Sequence, residues 1–161
     1  MIFDALEMLS NAQDLSQVVG SYLSEKSIDL WGGQTSRPTT ILGNTPVMDF
    51  GRGNELEVVV QVVEAFVGAT ATVLVELVMA DDEALTSNLV SLTQAPGGSI
   101  TVGIPVATLV SGYRFRLGCP EVGVTKRFLG LRYNIFTATT TAGTCSAWLA
   151  TESTTAPGTV F

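Results

Sequence analysis

Residues 128–136, FLGLRYNIF, run into TATTTAG at 137–143 and TCSAWLAT at 144–151, and this stretch decides the fold class. Leu129, Leu131, Tyr133 and Ile135 alternate with Gly130, Arg132 and Asn134. That period of two belongs to a strand with one buried face. Cys145, Ala147 and Leu149 repeat the rhythm, so Cys145 reads as a small buried hydrophobe and Trp148, on the opposite parity, is expected to face outward. The connection between them is rich in Thr and Gly and cannot easily continue a helix. The two segments therefore predict an antiparallel hairpin.

The same alternation recurs along the chain. In Leu56–Phe66 the residues Leu56, Val58, Val60 and Val62 share one face, opposite Glu57 and Gln61. Glu64 then falls on the apolar parity, and a β-bulge near Val62–Val63 is expected to restore the pattern. Residues 71–80 give the next strand, with Val73, Val75, Leu77 and Met79 inward, and a second hairpin with the first is expected. Shorter strands follow at 87–94, at Ile100–Ile104, which Pro105 stops or places at an edge, and at Tyr113–Leu117, where Arg114 and Arg116 point away from the core. Residues 17–31 hold short β-like pieces, 32–54 read as a long surface or contact loop, and 152–161 as a tail ordered by contact. About eight strands at a spacing of roughly ten residues predict an all-β fold, an antiparallel jelly-roll sandwich over 17–161. Ile2, Leu6 and Leu9 have helical spacing, so residues 1–16 are expected to form a short N-terminal arm or helix outside that domain.

Composition narrows the function. Charged residues are 14% of the 161, against about a quarter in ordinary domains, which points to a surface covered by partners or by further copies. The net charge of −7 repels phosphate backbones, and the eight basic residues are scattered, so no nucleic-acid partner is expected. No apolar run reaches the roughly 18 residues of a membrane-spanning helix, and MIFDALEMLS lacks the basic start of a secretory signal. Histidine is absent, which removes the commonest general base and metal ligand. Glu57, Glu64 and Glu76 read as outward or edge residues, and Asp81, Asp82 and Glu83 as a solvated turn. No catalytic residue, cofactor or metal is expected, and no enzyme. A sugar-binding module would present several exposed aromatics, whereas only Trp31 and Trp148 lie off the inward parity.

Three segments carry a resemblance: MIFDALEMLSNAQDLSQ at 1–17, IDLW at 28–31 and KRFLGLRYNIFTATTTAGTCSAWLAT at 126–151. Together they resemble the Bbp16-like capsid cement proteins of tailed bacteriophages. The resemblance implies a jelly-roll subunit that dimerises and binds the outside of an icosahedral head, bridging major capsid subunits. It implies no catalytic residues. On this reading the chain is a virion component assembled in bacterial cytoplasm, where Cys119 and Cys145 stay free thiols. Ile2, Phe3, Leu6, Leu9, Trp31 and Trp148 are then the candidates for contact with the shell or with a second copy. Another virion role, as a major capsid or tail component, is the alternative.

Overall fold

The computed structural model describes residues 8–30, 56–94, 103–118 and 125–151. Those residues form strands and turns without a helix. In chain order the strands are β1 (Met8–Asp14), β2 (Gly20–Leu23), β3 (Ile28–Asp29), β4 (Leu56–Val67) and β5 (Thr72–Ala80). They continue with β6 (Val90–Gln94), β7 (Ile104–Pro105), β8 (Arg114–Gly118), β9 (Phe128–Phe136) and β10 (Ala142–Thr151). One sheet has the order β1-β10-β4-β8, and the other β2-β9-β5-β6, all antiparallel. Strand β3 pairs β9 beyond the end of β2, and β7 pairs β5 beyond the end of β6. The ten segments thus fill eight ladder positions.

This is a jelly roll, because the two sheets repeat one order. Strands β1, β10, β4 and β8 of the first sheet are joined in the chain to β2, β9, β5 and β7 of the second. The hairpins expected at 128–151 and 56–80 are therefore not hairpins. β9 pairs β5, β10 pairs β4, and the short turns between them carry the chain from one sheet to the other. Alternation reports which face of a strand is buried. It is silent on which neighbour supplies the backbone hydrogen bonds, and two facing sheets satisfy it as well as one ribbon does.

The expected bulge in β4 is present. Cys145 opposes Val62 and Thr144 opposes Glu64, so Val63 is the extra residue. A second irregularity, between Thr144 and Ala142 opposite Glu64 and Val67, follows it. Glu64 is thereby turned out, while Phe66 is returned to the core. Gly143, at φ +140°, lies under Phe66: a Cβ there would stand 2.5 Å from the ring.

The core fills the space between the sheets. Val58, Val60, Val62, Cys145, Ala147 and Leu117 come from the first sheet, and Val73, Val75, Leu77, Leu129, Leu131, Tyr133 and Ile135 from the second. The inward set Tyr113, Phe115 and Leu117, with Arg114 and Arg116 outside, is found as expected.

The N-terminal expectation is corrected. Residues 8–14 are a strand at the edge of the first sheet, and Leu9 and Leu15 are fully buried core residues. Leu9 is thus a core residue of this chain. Helical spacing of three leucine-sized residues misled because β1 is bulged and its inward side carries polar groups. Four residues of β1, Ser10 to Gln13, stand opposite three of β10, Cys145 to Ala147, with Ala12 at φ 49°. Buried Ser10 shares a 2.8 Å hydrogen bond with the Tyr133 hydroxyl and donates to Gln13 at 2.7 Å. Gln13 in turn donates to the Leu23 carbonyl at 2.8 Å. Ile2, Phe3, Leu6, Trp31, Cys119, Ile100 and Val102 lie outside the described residues, as do the 32–54 loop and the 152–161 tail.

Candidate interaction surface

Four of the connections that cross between the sheets lie within the described residues from end to end, and these four meet at one end of the sandwich. They are residues 15–19, 68–71, 106–113 and 137–141. Backbone hydrogen bonds lace them together. The Thr140 N–H donates to the Gln17 carbonyl, Thr141 N–H to Val67, Phe66 N–H to Leu109 and Val106 N–H to Ala71. Thr140, only 1% exposed, is the central tie. Its hydroxyl donates to the Leu15 carbonyl at 2.5 Å and accepts from the Gln17 N–H at 3.0 Å. A Thr fits because its short hydroxyl can donate and accept at once while its methyl stays dry.

This end is apolar on the outside. Val18, Val19, Val67 and Val110 are 63, 52, 53 and 53% exposed, and Val63 beside them is 43% exposed. The remaining exposed groups there are Ala69, Thr70, Ala107, Thr108, Ser111, Thr137, Thr139 and Thr141. None of residues 15–19, 67–71, 106–113 and 137–142 is charged. The first charges met on leaving the end are Asp14, Glu64 and Arg114. An ordinary surface carries a charge at about every fourth residue. Exposed valines gathered on an uncharged face mark a contact surface more than a solvated one.

Trp148 faces away from the core, as its parity predicts. It stands in a row across the outer face of the first sheet, Met8–Trp148–Val59–Arg116, one residue from each strand. Val59 is nearly buried in that row, and Arg116 reaches Glu57 at 3.1 Å. The uncharged end and the Trp148 face are separate surfaces: Trp148 belongs to the half of β10 away from the crossings.

The outer face of the second sheet holds a feature that alternation did not reveal. Glu76, read as an outward residue, is 4% exposed. Its carboxylate accepts from Arg132 Nε at 2.5 Å, Asn134 Nδ2 at 2.6 Å and Ser91 Oγ at 3.2 Å. Asn134 Oδ1 accepts from Ser21 Oγ at 2.5 Å. Burial pushes the Glu76 carboxyl up, but these hydrogen bonds and the Arg132 charge outweigh it and hold the pKa below the usual value. Glu76 faces Arg132 directly in the register, and Asn134 is two residues on, so the signal was the pairing of β5 with β9. Below this cluster Val78 and Ala80 are roofed by Leu85, whose φ is 58°. Gly130 leaves room for it; a Cβ there would overlap the Leu85 side chain.

The acidic run serves its own turn. Asp82 accepts from the Thr86 and Ser87 N–H groups at 2.8 and 2.6 Å, and Asp81 pairs with Lys126 at 2.9 Å. Among the described residues no three of His, Cys, Asp and Glu stand grouped as a metal site requires, and no helix is long and apolar enough to cross a membrane. Cys145 is a free, buried thiol. A family model described as Bbp16 matches residues 9–149. No curated protein matches the chain.

Proposed function

The chain belongs to the Bbp16 family, a family of phage structural proteins, and from that premise we propose that it is a capsid cement protein. On this proposal it binds the outer surface of an icosahedral phage head and bridges major capsid subunits. The match over 9–149, which spans nearly the whole jelly roll, is the observation that carries the reading. The uncharged end supports it, since a solvated monomer has no use for exposed valines on a neutral face. The role is one of binding without turnover. A ligand that binds only the assembled shell stabilises that state by mass action, and many copies on a symmetric lattice add modest contacts through avidity.

The test uses expanded heads that lack this protein. Adding it back should decorate them at a fixed ratio to the larger shell protein and raise their melting temperature. Heads equally stable with and without it would refute the cement role, and recovery of the chain with isolated tails would favour the other virion role.

A further inference from the structure

We infer that residues 81–89, the connection from β5 to β6, are a latch that opens as a unit when its two aspartates are protonated, while the sheets beneath it stay closed. The connection is longer than a hairpin turn needs. It folds back over the outer face of the second sheet, where Leu85, 1% exposed, seals Val78 and Ala80, with Leu23, Leu89 and Phe128 packed around them. Val78 and Ala80 point away from the space between the sheets, which Val73, Val75 and Leu77 of the same strand fill. This small core is separate from the main one, so it can lose its cover without opening the sandwich.

Two opposed influences act on the connection. Asn88, at φ 50°, tolerates the left-handed region, but Leu85, at φ 58°, occupies it at a cost. That strain favours opening. Against it, Asp82 accepts from the Thr86 N–H and hydroxyl at 2.8 and 2.6 Å and from the Ser87 N–H at 2.6 Å. Asp81 accepts from Asn88 Nδ2 at 2.7 Å and from Lys126 Nζ at 2.9 Å. Three further ties do not titrate. Ser27 Oγ donates to the Glu83 carbonyl at 2.9 Å, the Asp81 N–H to the Ser87 carbonyl and the Leu85 N–H to the Asp82 carbonyl, both at 3.1 Å. Bonds to an ionised group are about twice as strong as neutral ones, so the aspartates supply most of the hold.

The other charges near them are Glu83 on the connection itself, Lys126 and Arg127 before β9, and Glu25, Lys26 and Asp29 on the segment that Ser27 joins to it. β6 brings none, and Glu76 of β5 is bound to Arg132. Arg127 pairs with Asp29 at 2.8 Å, and Lys126 is the cation on Asp81. Hydrogen bonds, foremost from Asn88 and Thr86, hold the Asp81 and Asp82 carboxyls below the ordinary 3.8. Their contribution is complete above that value and is lost as pH falls through the folded ones, so the latch is shut at neutral pH and opens in acid. Opening uncovers Val78, Ala80, Leu85 and Phe128 as an apolar patch.

The test is amide exchange of the full chain, followed residue by residue by NMR from about pH 7 to about pH 3 and corrected for the intrinsic rate. The Asp81 and Leu85 amides are the reporters, because they donate to backbone carbonyls and not to a carboxylate. Their protection should fall at least about tenfold once the pH is below 3.8, while amides of β4 and β10 keep theirs. Asp82→Ala should produce the same loss at neutral pH with circular dichroism unchanged, and Glu83→Gln on the same turn should not. Reporters equally protected at both ends of the pH series, reporters that exchange only when β4 and β10 do, an Asp82→Ala chain protected like the wild type, or equal loss in Glu83→Gln would each overturn the inference. So would an Asp82→Ala chain that fails to fold, since the connection would then belong to the main folding unit.

Discussion

Replacing Leu9 with Ala should lower the melting temperature of the isolated protein by about 6–12 °C. Leu9 is fully buried between the sheets although it sits on an edge strand. Leu→Ala in a core costs about 2–5 kcal/mol, depending on how far the surroundings collapse into the cavity. Collapse is restricted here. The Leu9 carbonyl accepts from the Lys26 N–H at 3.0 Å, and the next residue, Ser10, is held by Tyr133 and Gln13. A middle value of about 3 kcal/mol is therefore expected, and for a chain of this size each kcal/mol moves the midpoint by about 2–4 °C. Circular dichroism of the isolated protein during heating is the assay. Deleting residues 1–12 should do more, because it also removes Ser10 and leaves the Tyr133 hydroxyl deprived of that partner in the core. Its cost approaches the whole stability of a domain, about 5–15 kcal/mol, and no cooperative melt is expected. A midpoint for Leu9→Ala within about 2 °C of wild type would refute the placement of β1 in the core and restore the reading of residues 1–16 as a separate arm.

Gly143→Ala should destabilise by about 1–3 kcal/mol, since its Cβ meets the Phe66 ring and φ +140° is unfavourable for Ala; an unchanged melting curve would contradict the close approach. Glu76→Ala should cost about 2 kcal/mol, below the roughly 3–5 kcal/mol of a fully buried pair because Arg132 is 29% exposed; chemical denaturation measures it, and no loss would mean the network contributes nothing. Glu76 and Asp82 have lowered pKa values in the fold, so their contribution is complete above the ordinary carboxylate values of 4.5 and 3.8 and is lost as pH falls through the folded ones. Melting temperature should be level at neutral pH and decline in acid, and a protein most stable below pH 4 would reverse that sign. Burial pushes the Cys145 thiol up to about 12, so a thiol reagent at about pH 8 should label it only after denaturation. Equal labelling of the native protein would show that the core is open.

The residues that declared themselves in the sequence are those whose environment follows from their own strand. Val58, Val60 and Val62 announced a buried face, and Glu64 announced the bulge that removes it from that face, because a charge on the apolar parity has few other ways out. Trp148 announced its outward orientation in the same way. What remained hidden depends on a second strand far away in the chain. Ser10 and Gln13 look like surface residues until Tyr133 and the Leu23 carbonyl are brought to them. Glu76 looks outward until Arg132 and Asn134 arrive from β9. The uncharged end was legible only after the fold gathered four loops, each a short run without charge and rich in Val, Thr, Ala or Ser.

The position of β9 and β10 also governs when the protein can fold. β10 lies between β1 and β4, and β9 lies between β2 and β5, so the last two strands among the described residues are inner strands of their sheets. Residues 8–30 have no sheet partner until 128–151 have left the ribosome. Folding must then wait for residues 128–151 and close loops of more than a hundred residues, which places it among slow, millisecond-to-second folders. During the wait, the bare edges of β1 and β4 are open to pairing with other chains. A copy cut short before residue 128 is therefore expected to aggregate instead of competing for a place on the shell, so that assembly admits only finished subunits.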